Sequence, residues 1–278
     1  MRLSFVEPRI ELKQYIRSMW VFESAVGLPP ADRSLAAPNG CAKLILNCEN
    51  SLITDALGRQ SRSQENGLYF IGVRSVPVSL SSTRKRTRFI GIEFHPGGAY
   101  PILRIPMAEL TDLRLCADDL AGTWNASLTE MLANHGSTRE KIDFIQDRLW
   151  QRVKSGVKGG ENRDPLVAFC VEFLKRSNGS ATILDLERQT GYERRHLEKL
   201  FRKNVGVSPK MLAGMFRFQT FHRKLANADS FDAVRADVHK YFYDEAHFGK
   251  TFKKMTGFSP KHYFSHVPNR FGRQLSLH

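Results

Sequence analysis

The sequence predicts two domains, a β-rich barrel or sandwich with helices on its carboxyl-terminal side and an all-α domain with two helix-turn-helix units. Three observations predict this fold class. About the first 120 residues contain short β-branched and aromatic runs broken by Gly, Pro and Ser. From residue 165 onward, apolar residues recur at helical spacing. Finally, LEKLFRKNVGVSPK at 197–210 returns 51 positions later as FGKTFKKMTGFSPK at 248–261, which indicates an internal duplication.

The amino-terminal region is expected to fold into short strands of a small antiparallel barrel or sandwich. In its segment RFIGIEF, Phe89 and Gly91 alternate with Ile90 and Ile92, so the pattern specifies one buried face only loosely. The strand candidates are MWVF (19–22), KLILN (43–47), LYFIG (68–72), VPVSLS (76–81) and RFIGIEF (88–94).

Helical signals begin after the strands. Ser137 and Glu140 have the spacing of a capping box, and the apolar spacing behind them predicts a helix to about residue 153. The following stretch, KSGVKGGENRD (154–164), holds three glycines and little to bury, so it is expected to be a linker. The pair Asp164-Pro165 then restarts a helix as its cap and first residue. The predicted boundaries are therefore residues 1–153, 154–164, 165–266 and a flexible tail at 267–278.

The carboxyl-terminal region is predicted to be helical throughout. Gly191 stops its second helix, and Ser208-Pro209 caps the fourth. The expected helices are 165–176, 182–190, one beginning near Glu193, one from Pro209 to about Asn227, one beginning at Asp244 and a short one capped by Ser259-Pro260.

The two regions differ in net charge. The chain carries a net charge of +14. Residues 161–278 hold 21 basic and 12 acidic side chains, a net +9, whereas residues 1–160 hold 21 and 16, a net +5. This excess over the duplicated region indicates a polyanionic partner.

Other sequence features bear on the cellular compartment of the protein and on whether it binds a membrane or a metal. No apolar run approaches the length of a membrane span, and the amino terminus lacks the apolar core of a signal peptide. The four cysteines, at 41, 48, 116 and 170, have no metal-ligand spacing. We therefore expect a cytoplasmic protein with free thiols, no membrane contact and no bound metal.

Each copy of the repeat has the layout of a DNA-reading unit. Two short helices joined by a tight turn, the second with a cationic outer face, make a helix-turn-helix. A connecting helix of about 18 residues would be roughly 27 Å long, which suits two reading helices about one DNA turn, ~34 Å, apart. The pair is thus expected to read two successive major-groove segments.

Residues 165–266 resemble the DNA-binding domain of the AraC/XylS family of bacterial transcription regulators. The resemblance rests on GYERRHLEKLFRKNVGVSPK (191–210) and FYDEAHFGKTFKKMTGFSPKHY (242–263). It implies base-reading positions on the third helix of each unit, namely Arg194, Arg195, His196, Glu198 and Lys199 in the first and Glu245, Ala246, His247, Gly249 and Lys250 in the second. The expected phosphate contacts are Arg202, Lys203, Lys210, Lys253, Lys254 and Lys261.

Alternative roles remain open for some of these side chains. Glu198 could accept from a cytosine amino group or pair with an arginine of its own helix. His196 and His247 could instead flank the core. Phe201 and Phe252 are expected in the core, and Gly206 and Gly257 at structural turns.

Three residues depart from the family pattern. Glu187 and Asp237 occupy places where the family has a small residue between packed helices, and a carboxylate there needs water or a partner. Tyr241 replaces a turn glycine, and a left-handed conformation there would cost about 1–2 kcal/mol. The helix could instead end differently in the segment HKYFY. The geometry of the second unit on DNA is therefore left open.

The amino-terminal half resembles the cupin-like sensing domain found in one branch of the same family. The carrying segments are APNGCAKLILN (37–47) and FIGIEFHPGGAYPIL (89–103). The resemblance implies that residues 1–153 bind a small molecule of unidentified chemistry, dimerise, or do both. A metal-dependent barrel enzyme is the rival, but the strand-rich region offers only His95 as a ligand. The basic run RKRTR (84–88) is expected to be a solvated hairpin loop.

The sequence therefore predicts a DNA-binding transcription regulator that is not an enzyme and needs no cofactor. Its expected partners are double-stranded DNA, a small-molecule effector, a second copy through the amino-terminal domain, and RNA polymerase if it activates transcription. The alternative is a DNA binder without a small-molecule effector, either constitutive or controlled by a protein partner.

Overall fold

The structure, a computed structural model, describes residues 1–29, 34–120, 128–134, 136–157, 163–228, 231–235 and 237–267. It confirms the fold class, a β-rich part followed by an all-helical part. The ten strands among the described residues are β1 Arg2–Val6, β2 Ile16–Ser24, β3 Ser34–Ala36, β4 Lys43–Glu49, β5 Leu52–Ala56, β6 Arg59–Arg62, β7 Leu68–Ile71, β8 Val78–Ser82, β9 Thr87–Phe94 and β10 Arg114–Cys116.

The strands form two antiparallel sheets. The larger has the order β1-β2-β9-β4-β7-β10, and the smaller has the order β3-β8-β5-β6. Every predicted strand segment falls within one of these strands or overlaps it by four residues. The run RKRTR begins in the loop between β8 and β9, where Arg84, Lys85 and Arg86 are exposed, and its last two residues, Thr87 and Arg88, belong to β9. The loop is solvated as predicted, but it is not a hairpin, because β8 and β9 belong to different sheets.

Both faces of the larger sheet are buried, which explains why RFIGIEF shows no polar alternation. Ile90 and Ile92 face a large core shared with the helices. Phe89 instead joins Trp20 and other residues in a small core between the two sheets. A strand buried on both faces has no solvent side that would call for polar residues. At Gly91 a Cβ would lie 2.1 Å from the Trp20 ring, so this strand position admits only glycine.

Helices cover the outer face of the larger sheet and then build the carboxyl-terminal part. Their bounds are α1 Tyr100–Leu103, α2 Met107–Leu110, α3 Leu128–Ala133, α4 Thr138–Val157, α5 Pro165–Arg176, α6 Ile183–Thr190, α7 Arg194–Asn204, α8 Pro209–Ala226, α9 Phe231–Arg235, α10 Val238–Tyr241, α11 Glu245–Thr256 and α12 Pro260–His266. We call residues 1–157 the β-rich part and residues 163–267 the helical part.

The predicted caps are present. Ser137 and Glu140 form the reciprocal capping box at the start of α4. Asp164 caps α5 by accepting from two backbone N–H groups, and Ser208 and Ser259 cap α8 and α12. α4 continues to Val157, so the first four residues of the predicted linker are helical. Residues 158–162 of that linker and 268–278 of the predicted tail lie outside the described residues, whereas Val267 is buried.

One apolar core runs through both parts. It includes Ile92 of β9, Leu149 of α4, Val167 of α5 and Leu212 of α8. Polar contacts join the same surfaces. Thr111 Oγ1 donates to the Gly206 carbonyl at 2.9 Å, and Gln219 Nε2 donates to the Pro38 carbonyl at 2.8 Å. The helical part is thus packed onto the β-rich part rather than held by the connecting chain alone.

None of the helices within the described ranges has the length and apolar character needed to span a membrane.

Candidate DNA-binding surface

The first unit consists of α6, a tight turn and α7. Thr182 and Asp185 form a capping box at the start of α6. Gly191 ends it in the left-handed conformation, with φ 72°. A residue without a Cβ adopts this conformation at no steric cost, so the turn glycine predicted from the sequence is confirmed.

The side chain of Glu187, on α6, caps the start of the next helix, α7. Glu193, the residue that caps α7 by position, makes no side-chain hydrogen bond to the helix. The Glu187 carboxylate supplies this bond, because its Oε1 accepts from the Arg194 backbone N–H at 2.6 Å. A carboxylate at a helix amino terminus also interacts favourably with the helix dipole. The off-pattern residue is therefore explained.

α7, the first reading helix, separates an apolar face from a cationic one. Leu197 and Phe201 are fully buried. On the other face Glu198 is half-buried, and the remaining predicted base-reading residues, Arg194, Arg195, His196 and Lys199, are exposed.

Two contacts pre-arrange side chains on that cationic face. Arg194 Nε donates to Glu198 Oε1 at 2.8 Å, so Glu198 pairs with an arginine of its own helix in the free protein. His196 stacks on Tyr192 with ring centroids 4.8 Å apart, so His196 is an exposed residue rather than a core one.

The second unit replaces the single helix α6 by the short helices α9 and α10. Asp237 stands at the start of α10 and binds two lysines, Lys224 at 2.7 Å and Lys240 at 2.6 Å. Hydrogen bonds from these lysines lower the pKa of Asp237 to about 2. The chain leaves α10 through Phe242 in an extended conformation, and Tyr241 has no positive φ. Tyr241 therefore does not adopt the left-handed conformation for which a glycine would be needed at this turn.

α11, the second reading helix, repeats the layout of the first. Asp244 caps it by accepting from the His247 N–H at 2.6 Å. Phe248, Phe252 and Met255 are buried. The predicted base-reading residues Glu245, Ala246, His247 and Lys250 are exposed, and Gly249 is half-buried.

The carboxylate of Glu245 is engaged within the second unit. Arg235 holds it with two hydrogen bonds of 2.9 Å. The same arginine lowers the pKa of Glu245.

All six predicted phosphate contacts are exposed, and they lie on or just after the reading helices. One also touches the β-rich part, because Lys203 Nζ lies 5.1 Å from the centre of the Tyr100 ring. A lysine in a cation–π contact of this kind is partly committed before any DNA arrives.

Sequence reasoning did not single out Tyr192 and Tyr243. They stand two residues before the start of each reading helix and are 51 positions apart, so they are equivalent in the two copies. Tyr192 is 47% exposed and Tyr243 is 91% exposed. The repeat itself was the signal that could have identified them, since an exposed aromatic at both positions is part of the duplicated pattern.

A second candidate site is a cavity of about 260 Å³ between the β-rich and helical parts. Polar and charged side chains from both parts line it. The β-rich part contributes Arg17, Asn39, Lys43, Glu93 and His95, and the helical part contributes Arg163, Glu172, Lys175, Gln219, His222 and Arg223. His95 is thus a wall residue of this cavity. In the described ranges, no group of three or more His, Cys, Asp or Glu residues could hold a metal ion.

Two family models match the chain. Residues 4–115 match a domain of unknown function, and residues 186–266 match a helix-turn-helix domain. No curated protein matches the chain.

Solved structures similar to this chain include ToxT from Vibrio cholerae. An apo variant of ToxT is 14% identical, covers 90% of this chain and 97% of that one, and has a TM-score of 0.48. A ToxT structure described as bound to an unsaturated fatty acid is 14% identical, with coverages of 96% and 98% and a TM-score of 0.44. The EutQ protein of Clostridium difficile is 14% identical over 33% of this chain and 65% of that one, with a TM-score of 0.25.

The repeated short helix, turn and exposed cationic helix define a helix-turn-helix protein with the fold of DNA-binding regulators. Its carboxyl-terminal domain is of the AraC type, and its amino terminus is the β-rich domain of unknown function.

Proposed function

We propose that this protein is a sequence-specific transcription regulator that inserts α7 and α11 into two successive major-groove segments. The observation that carries the proposal is the repeated exposed cationic face on two helices whose opposite faces are buried. A helix fits the major groove of B-DNA, where each base pair presents a distinct pattern of donors and acceptors.

Affinity and sequence preference have separate sources in this proposal. The exposed phosphate contacts supply most of the binding free energy by releasing counterions, and they act on any DNA sequence. The outward residues of α7 and α11 supply the preference for one sequence. Glu198 and Glu245 are held by Arg194 and Arg235 in the free protein, so base reading by either carboxylate requires exchange of its ion pair.

Fluorescence anisotropy with DNA from upstream of the gene, compared with shuffled DNA across a salt series, tests the proposal. Six phosphate contacts predict a slope of log affinity against log salt of about −5. The native DNA is expected to bind at least about a hundredfold more tightly than shuffled DNA. If the native and the shuffled DNA bind equally weakly and salt does not change their affinity, the proposal is contradicted.

Variants separate the two helices. Arg195→Ala is expected to weaken specific binding about 5- to 150-fold and to relax sequence preference. Lys250→Ala combined with Lys254→Ala is expected to weaken binding and shorten the footprint, whereas an unchanged footprint would identify α7 as the sole reader. Arg188→Ala, an exposed arginine on α6 outside the predicted contacts, is the matched control.

We further propose that the β-rich part modulates DNA binding through a small-molecule effector. The support is the direct packing of α7 and α8 on the β-rich part and the cavity between them. Dimerisation through the β-rich part and contact with RNA polymerase during activation remain expectations of the same proposal. Unchanged stability and unchanged DNA binding across effector candidates would favour constitutive binding or control by a protein partner.

A further inference from the structure

The cavity between the two parts carries an excess of positive charge. Five cationic side chains line it, Arg17, Lys43, Arg163, Lys175 and Arg223, against the two carboxylates Glu93 and Glu172. Arg17 and Lys43 belong to the β-rich wall. Of the other three, Lys175 belongs to α5, Arg223 belongs to α8, and Arg163 lies two residues before α5.

Both carboxylates are engaged by cations. Glu93 is buried and accepts from Arg17 at 2.6 Å and from Lys43 at 3.1 Å. Glu172 bonds Arg176, which does not line the cavity, at 2.9 Å. Glu172 also interacts with Arg163 and opposes the lowering of its pKa by burial. The helical wall therefore has three cations against this one carboxylate.

His95, in the β-rich wall of the cavity, senses this charge. Burial, the largest cause, and the nearby charges of Arg163, Lys175 and Arg17 together lower the pKa of His95 to about 4. The positive charges that contribute to this lowering would stabilise an anion in the same space.

The size and lining of the cavity restrict the anion. A volume of about 260 Å³ is somewhat below the range of drug-sized ligand sites. Amide and imidazole groups of Asn39, Gln219 and His222 lie among the charged ones. By contrast, a cavity of about 90 Å³ between the two sheets is lined mainly by apolar residues such as Trp20 and Phe89. Although Leu35, Val171 and Phe216 also line the larger cavity, its charged and amide groups make it the better site for a small hydrophilic molecule.

We propose that this cavity binds a small organic anion with two or more negative charges, either carboxylate or phosphate. This inference rests on the proposed function, because it names the effector class of that regulator. The anion contacts Arg17 of β2 and Lys43 of β4 on one side and α5 and α8 on the other. Because α8 joins the two reading units, anion binding changes how tightly α8 packs on the β-rich part.

Thermal unfolding of the full chain tests the anion directly and requires no DNA. The probes are citrate, succinate, 3-phosphoglycerate and inorganic phosphate, with sodium chloride at matched ionic strength. The expected result is a saturable rise in Tm of a few degrees with at least one polyvalent anion and none with chloride. Comparison of the carboxylates with the phosphates identifies which anionic group is recognised.

Variants place the binding in the cavity. Lys175→Gln and Arg223→Gln change exposed side chains, so both variants are expected to fold with Tm values near that of the unaltered protein. Each is expected to weaken anion stabilisation at least about tenfold in half-saturating concentration. Arg188→Gln, an exposed arginine outside the cavity lining, should retain the full effect. Arg195→Ala should lose DNA affinity and keep anion stabilisation, which separates failure of this inference from failure of the proposed function.

Several outcomes would overturn the inference. One is the absence of stabilisation by any of the anions, and another is an equal effect of chloride. A third is stabilisation that both cavity variants retain.

Discussion

Glu187 shows how a single side chain can replace a missing cap. The chain places Glu193 before α7 without a capping bond, and the carboxylate from the preceding helix accepts from the Arg194 N–H instead. A substitution at Glu187 therefore acts on the first reading helix, although the residue itself lies on α6.

We expect Glu187→Ala to destabilise the protein by about 1 kcal/mol, within the 0.5–2 range of lost helix caps. Chemical denaturation measures this change. Glu193→Ala is the matched control and is expected to be nearly neutral, because its side chain caps nothing. Equal effects of the two substitutions would contradict the assigned capping role.

His95 gives the protein a specific dependence on pH. Its pKa falls from an ordinary 6.5 to about 4 in the folded state, through burial and the charges of Arg163, Lys175 and Arg17. As the pH falls, the unfolded chain binds the proton first. The stability from His95 is therefore fully present above pH 6.5 and is lost as the pH falls toward 4.

The expected loss across this interval is at most roughly 3 kcal/mol. As the pH decreases from 6.5 to 4.5, the free energy of unfolding should fall less steeply in His95→Gln than in the unaltered protein. Glu93, with its pKa lowered from 4.5 to about 2 by Lys43 and Arg17 against the opposing effect of burial, contributes only below that window. A slope identical to that of the unaltered protein would rule out His95 as its source.

The paired turns Gly206 and Gly257 show that two copies of one element can have different neighbours. Both glycines end a reading helix with positive φ, 97° and 82°. A Cβ on Gly206 would lie 2.8 Å from the Met107 carbonyl oxygen and 2.8 Å from Thr111 Oγ1, both in the β-rich part. At Gly257 nothing lies within 4 Å of that position.

Gly257→Ala is therefore expected to cost only the backbone strain of a left-handed alanine, about 1–2 kcal/mol. Gly206→Ala should cost clearly more, because it adds a backbone clash that forces the helical and β-rich parts apart. Denaturant unfolding of the two variants measures the difference. A similar loss in both would show that the contact around Gly206 contributes little.

Elements with strong local signals could be predicted, and those set by distant contacts could not. Asp164-Pro165, Ser208-Pro209 and Gly191 fix helix ends within a few residues, so α5, α6 and α8 followed from the sequence. By contrast, Asp237 at the start of α10 binds Lys224 thirteen residues away. Both residues are visible in the sequence, but the distance between their side chains depends on how α8 packs.

The shared core suggests that the folded protein behaves as one cooperative unit. Buried apolar residues form a continuous cluster from Leu12 in the β-rich part to Val267 at the end of the helical part. Calorimetry is expected to show a single transition, with calorimetric and van't Hoff enthalpies that agree. Two resolved transitions would mean that the contact between the parts is too weak to couple them.

The placement of one part on the other could not be predicted from the sequence. Glycine content marked a linker at 154–164 and suggested independent domains, yet Thr111 of the β-rich part bonds the Gly206 carbonyl of the helical part. The cationic residues of the cavity are spread from Arg17 to Arg223, and no spacing along the chain brings them together. The reading helices were predictable because their residues are close in sequence, whereas the cavity depends on tertiary packing.

The open surroundings of Gly257 have a practical consequence. The turn of the first copy contacts the β-rich part, whereas no described residue lies within 4 Å of a Cβ placed on Gly257 in the second copy. The segment that begins after α8 could therefore be exchanged for the corresponding segment of another regulator while the link between the parts stays intact. Under the proposed function, a chimera built at this junction would keep the native β-rich part and acquire the DNA preference of the new segment.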